Sequence, residues 1–220
     1  RSNISARSSS YMQTSPEIIV DETRLAETIA YDWVHKVLYW TDTGKNTVEL
    51  LTMKGRHHRT IVDTGLYLTG GIAVDPRADQ GWVYWTDFGS KPKIEKVGLD
   101  GSHRTMVVAT RIGLPYDVAI DFAGNRLYWT DSKYDAILSC DLGGQDIRRV
   151  FSEYRFTSFP HSLDVFGDMV YWDDGRAKAV YEINKTLRRP NARNVRSIWR
   201  RDPCGLRIYH SKKQPKGVHK

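Results

Sequence analysis

One tetrapeptide, Tyr-Trp-Thr-Asp, returns along the chain at Tyr39–Asp42, Tyr84–Asp87 and Tyr128–Asp131, with a variant at Tyr171-Trp172-Asp173-Asp174. Its tyrosines are 45, 44 and 43 residues apart. Self-similarity at a fixed period restricts a chain to repeat architectures. A period in the forties, carried by strand-type residues, points to one four-stranded propeller blade per copy.

The repeat is wider than the tetrapeptide. A small residue, an apolar residue and an aspartate precede each copy: Ala30-Tyr31-Asp32, Ala73-Val74-Asp75, Ala119-Ile120-Asp121 and Ser162-Leu163-Asp164. The aspartate stands 8 residues before the tryptophan in three units and 10 in the unit containing Gly81. After three of the copies come the turn pairs Lys54-Gly55, Asp100-Gly101 and Gly143-Gly144, then runs such as Arg59-Thr60-Ile61-Val62. Each unit reads as four short strands, with β-branched and aromatic residues inside and Gly, Asn or Asp at the ends. No stretch carries a sustained helical period, so the class is all-β. Within a blade, Tyr and Trp supply the large apolar area that fills the wedge between twisted sheets. Thr suits the pleat, and Asp at the strand end can accept backbone N–H groups.

These units resemble the class B (YWTD) repeats of the low-density lipoprotein receptor family, closest to the propellers of the low-density and very-low-density lipoprotein receptors. The stretch Tyr128–Gly144 carries much of that likeness, and Gly205–Pro215 resembles the strand that closes such a propeller. The resemblance implies a six-bladed propeller between EGF-like modules, on the extracellular or endosomal-lumen side of a single-pass receptor. Six blades need about 260 residues, and the chain has 220. The expectation is therefore a propeller shortened at its front. Residues 1–28 end an incomplete blade, 29–215 hold four full blades and the closing strand, and 216–220 exit toward an EGF-like module. Such an open ring would expose strand edges and favour aggregation or pairing.

The net charge of +7 is unevenly placed. From Lys185 to Lys220 there are 12 Lys or Arg against one acid, Asp202, so the first 184 residues are net acidic. The basic end is either a solvated face, including Arg196–Arg200, or a docking patch for an acidic partner. Nucleic acid is not a partner, because the aromatics follow the blade repeat and form no stacking platform. No run of apolar residues is long enough to span a bilayer, so membrane attachment would come only through other parts of a parent chain. The two cysteines, Cys140 and Cys204, fall on elements two blades apart and are expected not to bond. The sequons Asn3-Ile4-Ser5 and Asn184-Lys185-Thr186 make Asn3 and Asn184 candidate glycosylation sites.

Whatever recurs in every blade is structural, and whatever breaks the repeat is a site candidate. Asp42, Asp75, Asp87, Asp121 and Asp131 recur and read as strand-end structure. A metal-dependent propeller hydrolase would need unique acids and asparagines converging on the channel. No such set stands out, so no enzyme activity, metal or cofactor is implied. Loops after strands two and four of each blade open onto one face. They carry Tyr67, Phe88, Leu114, Tyr116, Tyr134, Arg155, Phe156, Phe159 and His161, an aromatic and cationic set suited to a protein interface. The family resemblance implies that cysteine-rich, calcium-loaded ligand-binding modules dock there at endosomal pH. The family's tryptophans fall at Phe88 and Leu114, its lysine at Arg155 and its histidines at Asp135 and Phe159. His161, two positions from the second, is the remaining imidazole for an acid switch. The function read from the chain is an interaction module that engages or releases a protein ligand through propeller docking. The alternatives are a signalling co-receptor propeller and, in a different class, a propeller hydrolase.

Overall fold

The computed structural model describes residues 20, 22–77, 81–154, 156–197, 205–208, 210 and 213. They form four sheets of four antiparallel strands, each a meander in chain order. Blade one is β1 Ala26–Asp32, β2 Val37–Asp42, β3 Thr47–Thr52 and β4 His58–Val62. Blade two is β5 Thr69–Asp75, β6 Trp82–Asp87, β7 Lys93–Gly98 and β8 Thr105–Val108. Blade three is β9 Pro115–Asp121, β10 Arg126–Asp131, β11 Ala136–Asp141 and β12 Arg148–Phe151. Blade four is β13 Pro160–Phe166, β14 Met169–Asp174, β15 Ala179–Asn184 and β16 Arg193–Ser197. The first strands β1, β5, β9 and β13 contact one another in succession, so they line the inside of the arc.

Successive side chains on a strand point to opposite faces, and this makes the tetrapeptide a two-sided fastener. Tyr39 packs with Trp85 in one apolar cluster. Tyr84 does the same with Trp129, and Tyr128 with Trp172. The tyrosines of blades one to three thus fill the seam toward the next blade, and the tryptophans of blades two to four fill the seam behind. Trp85, Trp129 and Trp172 are completely buried. The threonine adds a hydrogen bond across the same seam. Thr41 donates to the Gly70 carbonyl at 2.6 Å, Thr86 to Tyr116 at 3.2 Å and Thr130 to His161 at 2.8 Å. The turn glycines Gly55, Gly101 and Gly144 lie at φ 85°, 92° and 87°, a left-handed conformation that a side chain would oppose.

Three features depart from the sequence reading. The first strand begins at Ala26, so residues 26–28 open blade one instead of ending an earlier one. The unit Ser162-Leu163-Asp164 is not in register with the other Ala-x-Asp units. Asp164 pairs with Tyr171, the place that Ala30, Ala73 and Ala119 hold against their tyrosines. The turn between β13 and β14 is two residues shorter than that between β1 and β2, which kept the counted spacing at 8 while moving the strand. Finally, residues 205–208 add no strand to a sheet. They lie against β13 and β9. Ile208 N–H donates to Asp164 at 2.8 Å, and the Arg207 guanidinium meets Asp117 at 2.8 Å. The stretches 1–19, 198–204 and 214–220, with Asn3 and Cys204, lie outside the described residues.

Candidate protein-interaction site

The last aspartate of each tetrapeptide decides where the loops go. Asp87 accepts the backbone N–H groups of Tyr67 and Leu68 from the loop entering its blade, and of Gly89 from the loop after β6. Asp131 does the same for Gly113, Leu114 and Lys133, and Asp174 for Phe159, Arg176 and Ala177. Burial pushes the Asp42 carboxyl up. The N–H groups of Arg24, Leu25 and Lys45 outweigh it and hold the group below its ordinary value. One carboxylate therefore ties two loops to one end of each blade, and their side chains share a face. Asp75 and Asp121 sit at the opposite strand ends, paired with Arg77 and Lys185. All five aspartates are buried and engaged as strand-end structure.

On the loop face, three blades contribute to one aromatic cluster. Phe88 lies 4.8 Å from Tyr116, ring to ring. Tyr116 lies 5.4 Å from Phe159 and 5.2 Å from His161, and Phe159 and His161 are stacked at 6.4 Å. All four are half-buried, a state in which an apolar surface is organised yet open to a partner. His161 presents Nδ1 to Asp173 at 4.0 Å, and no hydrogen-bond partner for Nδ1 is found among the described residues. Burial raises the Asp173 carboxyl above its ordinary value, against the opposing effects of Ser162 and His161. Beneath Tyr116 and His161 lies a cavity of about 200 Å³, bounded by Glu27, Thr28, Asp117, Ser162 and residues 205–207. The arrangement offers an apolar platform with a cation, Arg207, behind it.

Not every expected residue joins this cluster. Leu114 is half-buried on the same loop set, with its N–H on Asp131 and its carbonyl taken by Ser132 N–H. Tyr134 is separate, lining a different cavity with Arg111, Leu138, Ile147 and Arg149. Phe156 is not an exposed anchor. It packs on Phe151 and Tyr181, and its carbonyl accepts the Trp172 indole N–H at 2.8 Å. Asp135 uses its carbonyl to take the hydroxyls of Ser152 and Thr157, a structural task. Arg155 lies outside the described residues. Asn184 is the half-buried last residue of β15, its side-chain oxygen accepting from Thr186 in the turn that follows.

The sequence reading missed an axial charge group. Asp117 accepts from Arg207 and from Leu163 N–H, and Asp164 accepts from Ile208 N–H and Lys213. The signal for Asp117 was present, since blades one, two and four carry Thr28, Gly71 and Ser162 at that place. Among the described residues, no group of three or more His, Cys, Asp or Glu side chains could hold a metal ion.

Comparison with known proteins agrees with this construction. The sequence profile of low-density lipoprotein receptor repeat class B matches residues 81–122. The vitellogenin receptor of Solenopsis invicta is 30% identical over 83% of the chain, and vitellogenin receptor Yl of Drosophila melanogaster 28% over 88%. The human low-density lipoprotein receptor-related protein 5-like protein is 28% identical over 71%. The chain spans 10%, 9% and 61% of the lengths of these three relatives. Two solved structures share the fold. One is a chain of a nidogen/laminin complex, with TM-score 0.72 and 24% identity, covering 82% of this chain and 68% of that one. The other is a gluconolactonase from Xanthomonas campestris, with TM-score 0.68 and 17% identity, covering 85% and 67%. With four in-register Tyr-Trp blades and the profile match on blade two into blade three, this chain belongs to the low-density lipoprotein receptor class B, or YWTD, repeat family.

Proposed function

We propose that the chain is an extracellular interaction module of an endocytic lipoprotein-receptor-like protein, without catalytic activity. It engages or releases a protein ligand by docking on the loop face. The observation that carries this reading is the convergence of Phe88, Tyr116, Phe159 and His161, from three blades, into one half-buried cluster. Aromatic side chains held at the ends of paired strands present large contact area at low entropic cost, which is the make-up of an interface centre. Similarity to two vitellogenin receptors and to a receptor-related protein supports a receptor context. The partner is either a protein ligand or a cysteine-rich, calcium-loaded module of the same receptor, with EGF-like modules flanking the propeller. In this reading, Asn184 carries a glycan and the face meets its partner outside the cell or in the endosomal lumen.

The test is titration of calcium-loaded cysteine-rich modules against the protein at about pH 7.4 and about pH 5.5. Phe88→Ala or Arg155→Glu is expected to weaken binding by about tenfold or more, through lost area and reversed charge respectively. His161→Ala is expected to remove most of the pH dependence. Undiminished binding by both of the first two variants excludes this face. A pH response that survives in His161→Ala places the switch on the partner.

A further inference from the structure

The strand registers let one buried group be followed from blade to blade. Glu49, Glu95 and Leu138 each pair with the tryptophan of their own blade. In blade one, Glu49 holds His58 at 2.6 Å. In blade two, Glu95 holds Arg104 at 2.7 Å and Lys93 at 2.9 Å. Those two cations also bond the carbonyls of Thr64 and Gly65, sealing the seam behind the blade. Blade three has Ala136, Leu138 and Ile147 at the places of Lys93, Glu95 and Arg104. An ion-paired plug has become an apolar floor, and a cavity of about 370 Å³ opens over Leu138 and Ile147.

The rim of that cavity is cationic. Arg111 and Arg149 are exposed, and neither has a carboxylate partner among the described residues. Tyr134 lines the same cavity, and Lys133 Nζ lies 5.8 Å from its ring centroid. Arg111 stands where the preceding connection has Gly65, two residues before the N–H pair that the tetrapeptide aspartate accepts. Both backbones are left-handed, with φ 64° at Gly65 and 55° at Arg111. Arginine in a conformation that glycine adopts freely costs stability, and such positions cluster where function retains them. The groove is elongated. A neighbouring cavity of about 400 Å³ shares Arg111 and Ile147, and its one carboxylate, Asp146, is committed to Arg126 and Arg148.

We propose that this groove between blades two and three is a second binding site, for an acidic peptide segment that places carboxylate side chains beside a bulky apolar one. The apolar side chain covers Leu138 and Ile147 against Tyr134, while the carboxylates meet Arg111 and Arg149 as charge-assisted pairs. The apolar floor favours such a peptide over a sulfated glycan, which has nothing to bury there. The site is independent of the aromatic cluster, so either can fail alone.

The probe is Gly-Glu-Leu-Glu-Phe-Gly-amide carrying fluorescein on its N-terminal amine, titrated against the full chain by anisotropy. The control peptide carries lysine for both glutamates. Saturable binding of the acidic peptide alone is expected. It should weaken by about tenfold in Arg111→Gly and in Arg149→Gln. Because Arg111→Gly restores the residue of the preceding connection, its melting temperature should hold or rise, which separates lost binding from lost folding. The proposal is overturned by no saturable binding up to about 1 mM, or by equal binding of the lysine peptide. It is also overturned by full affinity in both variants, or by a heparin tetrasaccharide binding in an Arg111-dependent way while the peptide does not.

Discussion

Trp129 is completely buried because its ring belongs to the seam behind blade three, in the cluster with Tyr84 and Ile94. Trp129→Ala should cost about 3–5 kcal/mol in chemical denaturation, as large aromatic truncations in cores do. A loss under about 1 kcal/mol would mean that the ring is not core. This burial was legible in the sequence, because a residue that returns in every unit has a repeating structural task. The register of Asp164 was not legible. A two-residue change in a turn leaves every side chain on its expected face, so no pattern is broken and counting alone cannot detect it. Asp173 replaces the seam threonine in blade four, and burial raises its carboxyl above the ordinary value. The folded state therefore binds that proton more tightly than the unfolded chain. Its stabilisation is present at low pH and is lost as pH rises through the carboxylate range toward the raised folded value. The melting temperature of Asp173→Asn relative to the parent should accordingly climb between about pH 4 and about pH 7. A flat difference would show that Asp173 does not titrate in that interval. The Cys140 thiol is pushed up to about 12 by burial, with Asp141 adding to the effect. In a Cys204→Ser background, iodoacetamide should leave the native protein unmodified at neutral pH and label it once unfolded.

The elements are joined by turns of very different tolerance. Gly144, in the turn between β11 and β12, lies at φ 87°, and a Cβ there would meet the Val107 carbonyl oxygen of the neighbouring blade at 1.8 Å. Gly167, between β13 and β14, lies at φ 56° with nothing within 4 Å of the same added atom. Gly167→Ala should cost about 1 kcal/mol from the left-handed backbone alone. Gly144→Ala should cost at least about twice that, since backbone must also shift. Equal losses in thermal melts would contradict the seam geometry. Strand content and turn positions could be read from the chain, because glycines, β-branched residues and the period all state the same thing. The aromatic cluster was only partly readable. Phe88, Tyr116, Phe159 and His161 were placed on one face by topology, but Phe156 turns inward and Tyr134 joins another cavity. Which way a loop side chain leans is set by contacts across a seam, and these have no local signature.

At the scale of the molecule, Arg207 and Lys213 tie the inner strands of blades three and four together through buried acids. Arg207 meets Asp117, and Lys213 meets Asp164. Arg207→Met would leave Asp117 buried without its partner, at a cost of about 2–3 kcal/mol. This is less than for a fully buried pair, because the Arg207 side chain is half-exposed. Asp117→Asn in the same background should recover part of the loss, and an additive pair in that double-mutant cycle would show that the two groups do not interact. A larger consequence follows from the seams. Each is owned jointly, with tyrosine from one blade and tryptophan from its neighbour, so no sheet holds a complete core of its own. Such a chain behaves like a row of coupled spins, in which a unit with two ordered neighbours opens less often than a unit with one. Amide protons of β6 and β10 should therefore outlast those of β2 and β14 in deuterated buffer, grading protection outward from the middle. Tyr128→Ala, a change within blade three, should release the amides of blade four.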